Sequence, residues 1–156
     1  MKKIPMKKLR GNAKTPTRGT ERAAGLDFYA SAAEANTNVT VWEDEIRIKP
    51  HAQVKIYTGI AAAIPSGYVG LLFNRSGIAI KQELRLANCV GVIDEDYRGE
   101  IVAAFKSDND TEQIVKIGDR VAQLVLVPCE LFDPEIVDEL DDTDRGAGGF
   151  GSTGTR

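Results

Sequence analysis

Histidine, cysteine and long apolar runs are nearly missing from this sequence of 156 residues. Cys89 and Cys129 are the only cysteines, and without a CxxC spacing they form neither a disulfide framework nor a zinc site. Their apolar neighbours predict buried free thiols. His51, the single histidine, is predicted at the surface, which excludes a histidine-dependent triad. No segment is apolar enough for a signal peptide or a membrane span, so we expect a cytoplasmic protein.

An excess of basic residues is also missing. The net charge is −3, whereas nucleic-acid binders usually carry a strong basic excess, so we expect no nucleic-acid partner. The length and the 42% apolar composition allow one globular domain with its own core. Charge is uneven, because lysines crowd residues 1–10 while residues 130–144 hold eight acids and no base. We predict that both segments are solvated.

Short runs of strand-forming residues recur along the chain, at intervals typical of an all-β sandwich, barrel or jelly roll. Residues 54–60 alternate between apolar and polar side chains, which is the period of a strand. Other strands are predicted from residue 26 and at 39–42, 45–48, 68–73, 101–105 and 121–127. The pattern further predicts a hairpin from 39–42 and 45–48, a turn at 65–67 and one short helix at 77–82.

Residues 88–100 place two apolar stretches around a cluster of acids and a tyrosine, with glycines near both ends. This pattern predicts a β-hairpin whose backbone can approach a ligand closely. Asp94 follows Ile93 at a strand end, where a carboxylate can act as a general base on water. A charged hairpin tip without catalytic function is the alternative interpretation.

A second polar group follows the strand predicted at 68–73. Arg75, Ser76 and Gly77 offer a guanidinium, a hydroxyl and backbone N–H groups, a set that suits a phosphate. Gln123 lies inside an apolar strand and needs a polar partner or a ligand there. We interpret Arg120 as a structural ion-pair residue rather than a substrate-binding one.

Five of the twelve residues from Arg145 to the end of the chain are glycine. Because glycine loses much conformational entropy on ordering, we predict a flexible arm that is fixed only when something binds it. A frayed terminus is the simpler alternative. Arg145, Phe150 and Ser152 favour a lid, so we divide the chain into a core at 1–144 and an arm at 145–156.

Five segments, in this order, resemble the five motifs of the trimeric dUTPase family. They are residues 24–30 (AGLDFYA), 75–79 (RSGIA), 88–100 (NCVGVIDEDYRGE), 118–123 (GDRVAQ) and 145–154 (RGAGGFGSTG). Together they span nearly the whole chain, and the third and fifth are the most specific. Phe28 stands where the family usually has an aliphatic residue, which is a mild departure.

The resemblance implies a jelly-roll-like β barrel and a threefold homotrimer whose sites are built from several subunits. It also implies hydrolysis of dUTP to dUMP and pyrophosphate, a reaction that limits uracil in DNA and supplies dUMP for dTMP synthesis. The arm at 145–156 then closes over the site of a neighbouring subunit, and the acidic stretch 138–144 serves as its spacer.

The family motifs also assign roles to residues around the base and sugar. Asp94 matches the carboxylate that deprotonates the water attacking the α-phosphorus. Tyr97 matches the ring that packs on the deoxyribose and leaves no room for a 2′-hydroxyl. The uracil-reading hairpin is matched by Asn88 and by the backbone of Val92, Ile93 and Val102.

The phosphate side of the resemblance includes the following residues: Arg75, Ser76, Gly77, Gln123, Arg145, Gly151 and Ser152. Phe150 matches a ring that covers uracil. A triphosphate brings several negative charges to an acidic chain, so arginines and Mg²⁺ must offset the repulsion. Asp27 matches an acid that holds Mg²⁺ only through water, because this ion prefers phosphate and water oxygens.

Two other functions stay open at this point. A dCTP deaminase shares the family fold and binds a similar nucleotide, but we would expect a glutamate base in a different context. A non-catalytic nucleotide-sensing relative is disfavoured by Asp94, Gln123 and Arg145. Residues 36–48, with Trp42, look longer than the family's usual connection and predict an added surface hairpin. The sequence identifies no protein regulator that would use this hairpin.

Overall fold

The computed structural model describes residues 3–149, and in this range the backbone forms thirteen β-strands and one short α-helix. The strands are β1 (Met6–Lys8), β2 (Leu26–Tyr29), β3 (Ala32–Ala33), β4 (Val39–Trp42), β5 (Glu45–Ile48), β6 (Gln53–Tyr57), β7 (Ile60–Ala62), β8 (Tyr68–Asn74), β9 (Leu84–Leu86), β10 (Gly91–Ile93), β11 (Val102–Ser107), β12 (Gln113–Lys116) and β13 (Arg120–Pro128). The helix is α1 (Ser76–Lys81). The predicted all-β class with one short helix is confirmed.

Antiparallel pairing joins these strands into two four-stranded sheets and two smaller ones. The larger sheets have the orders β10-β8-β13-β2 and β3-β6-β11-β9, and the smaller ones are β12-β5-β4 and β1-β7. Both larger sheets contribute to one apolar core. Phe28 and Leu72 enter it from the first sheet, while Ile56 and Phe105 enter it from the second. Burial of these side chains is the main force that holds the two sheets together.

The strand predicted at 54–60 is interrupted in the structure. β6 ends at Tyr57, and β7 begins at Ile60 and pairs with β1 instead of continuing in the β6 sheet. Between them Gly59 has a φ of 71°, and a Cβ at this position would lie 2.6 Å from the Cβ of Ala13. Only glycine tolerates this turn, which moves the chain from one sheet to another.

The hairpin predicted from residues 39–42 and 45–48 is confirmed as the antiparallel pair of β4 and β5. β5 also pairs with β12, so β4 forms an edge of this three-stranded sheet. Trp42 at the end of β4 is 67% exposed. The predicted turn is confirmed at Ser66 and Gly67, and the predicted helix is confirmed as α1 with a shift of one residue.

The predicted burial of the two cysteines is wrong, because Cys89 and Cys129 are both exposed. Cys89 lies in the connection between β9 and β10 with a φ of 62°, and Cys129 follows the last residue of β13. In such connecting segments, apolar neighbours in sequence do not imply burial. His51 lies at the surface as predicted, where its Nε2 is 3.0 Å from a carboxylate oxygen of Asp110.

β13 is the last strand in the described part of the chain, and residues 129–149 contain no further strand or helix. Large apolar side chains of this segment are 85–94% exposed, namely Leu131, Phe132, Ile136 and Leu140. The helix α1 has six residues, and no helix within residues 3–149 has the length and apolarity to cross a membrane.

Candidate active site

A cavity of about 240 Å³ opens between β10 and β11, and we call it the β10–β11 pocket. Six predicted site residues line it: Asn88, Val92, Ile93, Asp94, Tyr97 and Val102. The resemblance assigns these six residues to the base, the sugar and the deprotonation of the attacking water. Leu72, Leu86 and Ala104 complete apolar parts of the wall, and Glu100 adds a carboxylate.

The hairpin predicted for residues 88–100 is wrong as a strand pairing. β10 pairs with β8, whereas β11 pairs with β6 and β9 in the other large sheet. The segment therefore crosses between the two sheets, and the β10–β11 pocket is the cleft at this crossing. Gly91 lets β10 approach its partner, because a Cβ there would lie 3.1 Å from the Cβ of Leu72. In the sequence, the flanking apolar residues and glycines do not distinguish a hairpin from a crossing between two sheets.

Tyr97 is held at this pocket by hydrogen bonds within its own loop. Its hydroxyl donates to the carbonyl of Glu100 at 2.9 Å, and its backbone N–H donates to the carbonyl of Asp94 at 3.2 Å. A Cβ on Gly99 would collide with the Tyr97 hydroxyl and ring. The side chain is still 42% exposed, so the ring can contact a ligand.

Asp94 presents an unengaged carboxylate directly after β10. The residue is exposed, and no donor within residues 3–149 hydrogen-bonds to its carboxylate oxygens. A carboxylate of this kind can orient a water molecule and accept its proton, provided that the substrate lies against it.

A second cavity, of about 190 Å³, lies where β8 ends and α1 begins, and we call it the Arg75 pocket. Its lining includes four predicted phosphate and metal residues, which are Asp27, Arg75, Ser76 and Gln123. Three adjacent strands bring them together, since Asp27 of β2 pairs with Gln123 of β13, and Gln123 pairs with Phe73 of β8. Gly77, also predicted, follows Ser76 in α1.

Asp27 orients the two arginines of this region. Its Oδ1 accepts from Nε of Arg75 at 2.8 Å, and its Oδ2 accepts from Nη1 of Arg120 at 3.1 Å. Asp27 is buried, whereas the side chains of Arg75 and Arg120 are partly exposed, so their remaining N–H groups can reach an anion. The ion pair predicted for Arg120 is present, with Asp27 as its partner. The amide of Gln123 is fixed by a hydrogen bond from Nε2 to the carbonyl of Asn74 at 3.0 Å.

A dedicated metal centre is absent from the described part of the chain. Residues 3–149 contain no group of three or more His, Cys, Asp or Glu side chains that could hold a metal ion. Both carboxylate oxygens of Asp27 already accept hydrogen bonds from arginines. Asp27 therefore fits at most a contact through water with a Mg²⁺ ion. Such an ion would be carried by phosphate and water oxygens.

The two pockets lie at different positions along β8, because Leu72 in the middle of the strand lines the β10–β11 pocket and Arg75, after its end, lines the other. Ile93 pairs with Gly70 near the start of this strand, while Arg75 follows its last residue, Asn74. At about 3.3 Å per residue, Arg75 lies roughly 17 Å along the strand from Gly70. One chain therefore collects the predicted site residues into two separate groups.

The arm residues contribute to neither group within a single chain. Arg145 lies in an exposed turn, where its Nε donates to the carbonyl of Gly148 at 2.8 Å, and it lines neither pocket. The other predicted arm contacts, Phe150, Gly151 and Ser152, lie outside the described residues.

Sequence reasoning missed Glu100 and Arg10. The Glu100 carboxylate accepts from Nε and Nη2 of Arg10, each at 3.0 Å, and from the N–H of Gly59 at 2.6 Å. Arg10 precedes Glu100 by 90 residues, so no local pattern connects the two. The one available signal was that Glu100 closes the acid cluster of residues 88–100.

Comparisons with known proteins identify the family of this chain. The sequence model of the dUTPase family matches residues 11–154. A protein of Desulfitobacterium hafniense (strain DSM 10664 / DCB-2) is 46% identical over 142 residues, covering 90% of this chain and 87% of that protein. A protein of Syntrophotalea carbinolica is 41% identical over 151 residues, covering 97% of this chain and 96% of that protein. Both relatives are named deoxyuridine 5'-triphosphate nucleotidohydrolase.

Solved structures show the same fold. The dUTPase of Staphylococcus bacteriophage 80alpha with dUPNHPP aligns with a TM-score of 0.84 and 28% identity, covering 99% of both chains. The sheets and the structural similarity thus define a jelly-roll β protein, as the sequence predicted. Within that class, the chain belongs to the dUTPase family.

Proposed function

We propose that this chain hydrolyses the α–β phosphoanhydride of dUTP to dUMP and pyrophosphate, the activity for which its relatives are named. One observation carries the proposal: the predicted general base Asp94 and the core residues predicted to contact the base and the sugar line a single pocket. In a cell this reaction limits the incorporation of uracil into DNA and supplies dUMP for dTMP synthesis.

The β10–β11 pocket suits a uracil base. β10 is the edge strand of its sheet, so one side of its backbone offers unpaired N–H and C=O groups to a ligand. Val92 and Ile93 provide these groups, and Asn88 adds a side-chain amide. A base with the wrong donor pattern would leave such groups unpaired, which discriminates strongly against cytosine. The close apolar wall leaves little room for the 5-methyl group of thymine.

The chemical step depends on Asp94 and Tyr97. Asp94 orients a water molecule and takes its proton as the oxygen attacks the α-phosphorus. Tyr97 packs on the deoxyribose and occupies the space that a 2′-hydroxyl would need. Because phosphoryl transfer relies mainly on positioning and electrostatics, these contacts supply much of what the reaction requires.

The Arg75 pocket suits the phosphate groups. Asp27 fixes the guanidinium of Arg75, and Ser76 and Gly77 add a hydroxyl and backbone donors. Gln123 contacts the α-phosphate and the water. A Mg²⁺ ion carried by the triphosphate, with Asp27 reaching it only through water, would neutralise part of the phosphate charge.

A complete site requires both pockets, and one chain holds them apart. Gly70, the strand partner of Ile93 next to Asp94, lies roughly 17 Å along β8 from Arg75, which exceeds the length of a triphosphate, whereas the attacking water must lie within about 3.5 Å of phosphorus. We therefore infer a homo-oligomer in which Asp94 of one subunit faces Arg75 of another, and the family resemblance implies that it is a homotrimer. The exposed apolar side chains of residues 131–140 favour the same conclusion, since exposed apolar segments mark interaction sites.

The glycine-rich arm at 145–156 acts in this proposal as a lid that extends from the core at 1–144 to a neighbouring subunit. Arg145 grips the γ-phosphate, Phe150 covers uracil, and Gly151 and Ser152 donate to the terminal phosphates. Closure would exclude bulk water and complete the set of donors. We place the enzyme in the cytoplasm, acting on a free nucleotide.

A pyrophosphate-release assay with dUTP, UTP, dCTP and dTTP tests the proposed function. We expect release from dUTP far above release from the other three nucleotides, with Asp94→Asn as the inactive control. Ammonia from dCTP together with no pyrophosphate from dUTP would instead identify a dCTP deaminase.

A further inference from the structure

We infer that Glu100 and Arg10 form a clamp that positions Tyr97, and that selection of deoxyribose over ribose depends on this clamp. The inference rests on the proposed function, because it concerns the sugar-contacting ring of that site. Glu100 and Arg10 are positioning residues in this account, since they act on the substrate through Tyr97.

The carboxylate of Glu100 is fully engaged at the end of the Tyr97 loop. Both of its oxygens accept from Arg10 at 3.0 Å, and one of them also accepts from the N–H of Gly59 at 2.6 Å. The Glu100 side chain is only 15% exposed. Hydrogen bonds between a charged fork and a carboxylate are strong and fix geometry as well as distance.

The backbone of Glu100 carries this constraint to Tyr97. The carbonyl of Glu100 accepts the hydrogen bond of the Tyr97 hydroxyl at 2.9 Å. Because 42% of the Tyr97 side chain is exposed, packing alone does not fix the ring. Movement of Glu100 would shift the acceptor and release the ring from the position that excludes a 2′-hydroxyl.

The other half of the clamp is itself anchored. The guanidinium carbon of Arg10 lies 4.9 Å from the ring centre of Tyr57, a cation–π contact. Leu9 donates its N–H to the carbonyl of Gly59 at 2.7 Å, and Asn12 donates to the carbonyl of Ser31 at 2.8 Å. The segment around Arg10 is thus fastened to the turn that follows β6 and to the connection between β2 and β3.

The charge of Arg10 keeps the clamp intact over the pH range in which an enzyme works. The hydrogen bond to Glu100 raises the pKa of Arg10 above the ordinary value of an arginine side chain. The stabilisation that the charged guanidinium provides is therefore fully present below that value and is lost only as the pH rises beyond it.

The test compares kcat/KM for dUTP with kcat/KM for UTP in the full-length protein. We expect Arg10→Gln and Glu100→Gln each to lower this selectivity ratio by about 3- to 10-fold, the effect of roughly one lost hydrogen bond. Arg10→Lys keeps the charge but cannot form the two-pronged contact, so an intermediate loss is expected. The Arg10→Lys variant also tests the clamp if Arg10→Gln folds poorly.

A matched control is available in the β4–β5 hairpin. Arg47 is 43% exposed and lies 2.6 Å from Glu45, while Arg10 is 37% exposed in its own ion pair. Arg47→Gln should leave the selectivity ratio unchanged, since this hairpin lines neither pocket.

A double-mutant cycle separates positioning from general destabilisation. Tyr97→Phe removes the hydroxyl that Glu100 accepts, so it should lower selectivity by itself. If the clamp acts through that hydroxyl, adding Arg10→Gln to Tyr97→Phe should cause no further loss. If Arg10 only stabilised the fold, Arg10→Gln would lower the midpoint of thermal unfolding, and its effect on selectivity would not depend on Tyr97→Phe.

Unchanged selectivity in both Arg10 variants, or additive losses in the double variant, would overturn the clamp while the proposed function stands. A wild-type protein that releases no pyrophosphate from dUTP would reject the proposed function and the clamp together. The two failures are thus distinguished by the wild-type assay.

Discussion

At the scale of single residues, Asp94 is the side chain whose chemistry is most directly testable. We expect Asp94→Asn to lower kcat for dUTP by roughly 10²–10⁴, because an amide cannot accept the proton of the attacking water. Binding of dUTP, measured by calorimetry, should stay close to wild type. Asp96→Asn, a nearby exposed acid in the same loop, serves as the control and should keep its activity. A near-normal rate for Asp94→Asn would remove it from the role of base.

Asp27 is a second single residue with a testable role, because its replacement should affect both stability and phosphate binding. Asp27→Asn should lower the free energy of unfolding by roughly 1–3 kcal/mol, because two arginines lose a buried acceptor. The KM for dUTP should rise as well, since the guanidinium of Arg75 is no longer fixed. Urea unfolding and steady-state kinetics measure the two effects.

The control for this change is the surface pair of Arg85 and Asp108, in which both side chains are 46% exposed. Asp108→Asn should cost less than about 1 kcal/mol, as is usual for exposed ion pairs. Equal losses in Asp27→Asn and Asp108→Asn would contradict the assigned role of Asp27.

At the scale of elements, the arm can be removed without touching the core. Truncation before Arg145 deletes residues 145–156, which lie beyond the last strand, β13. We expect the loss of most dUTP hydrolysis, because the lid and its arginine are gone, while the oligomer remains intact. Kinetics and light scattering check the two parts of this expectation, and a truncated protein with full activity would exclude the lid.

Local patterns predicted single elements well and their pairing less well. The hairpin of β4 and β5 was predictable because its partners are neighbours in sequence. The region around Asp94 lines a cavity, yet its strand β10 pairs with β8 and not with β11 as the sequence predicted. Pairing between distant strands depends on how two sheets pack, which alternation of apolar residues does not encode.

At the scale of the whole molecule, the proposed trimer predicts complementation between inactive variants. Asp94→Asn and Arg75→Ala chains are co-expressed with different tags, and mixed oligomers are purified through both. If each site combines Asp94 of one subunit with Arg75 of another, every mixed trimer regains one of its three sites, so about a third of the sites in the purified oligomers are restored. Light scattering should give the mass of an oligomer of three chains, each of 16.9 kDa.

The homo-oligomers of each single variant are the controls for this experiment and should both stay nearly inactive. A site contained within one chain would give no recovery on mixing, because every chain would carry one defect. Recovery without a trimeric mass would point to a different assembly.

The sequence assigned a set of candidate site residues, but it did not predict that they are divided between two cavities. Asn88 and Tyr97 were assigned to the ligand, and they line one cavity with Asp94. That Arg75 and Gln123 line a different cavity follows only from the register of β8 with its neighbours. Glu100 escaped notice because its partner Arg10 lies 90 residues away.

Trp42 is the only tryptophan, and it lies 67% exposed on the edge strand β4, away from both pockets. The intrinsic indole fluorescence of a single chain therefore originates from a water-facing ring. Acrylamide should quench that emission readily, and a nucleotide titration with a flat signal would say nothing about occupancy of the site. A Trp42→Phe background would be optically silent, so that a second change, Tyr97→Trp, would place the sole indole against the sugar and report its arrival.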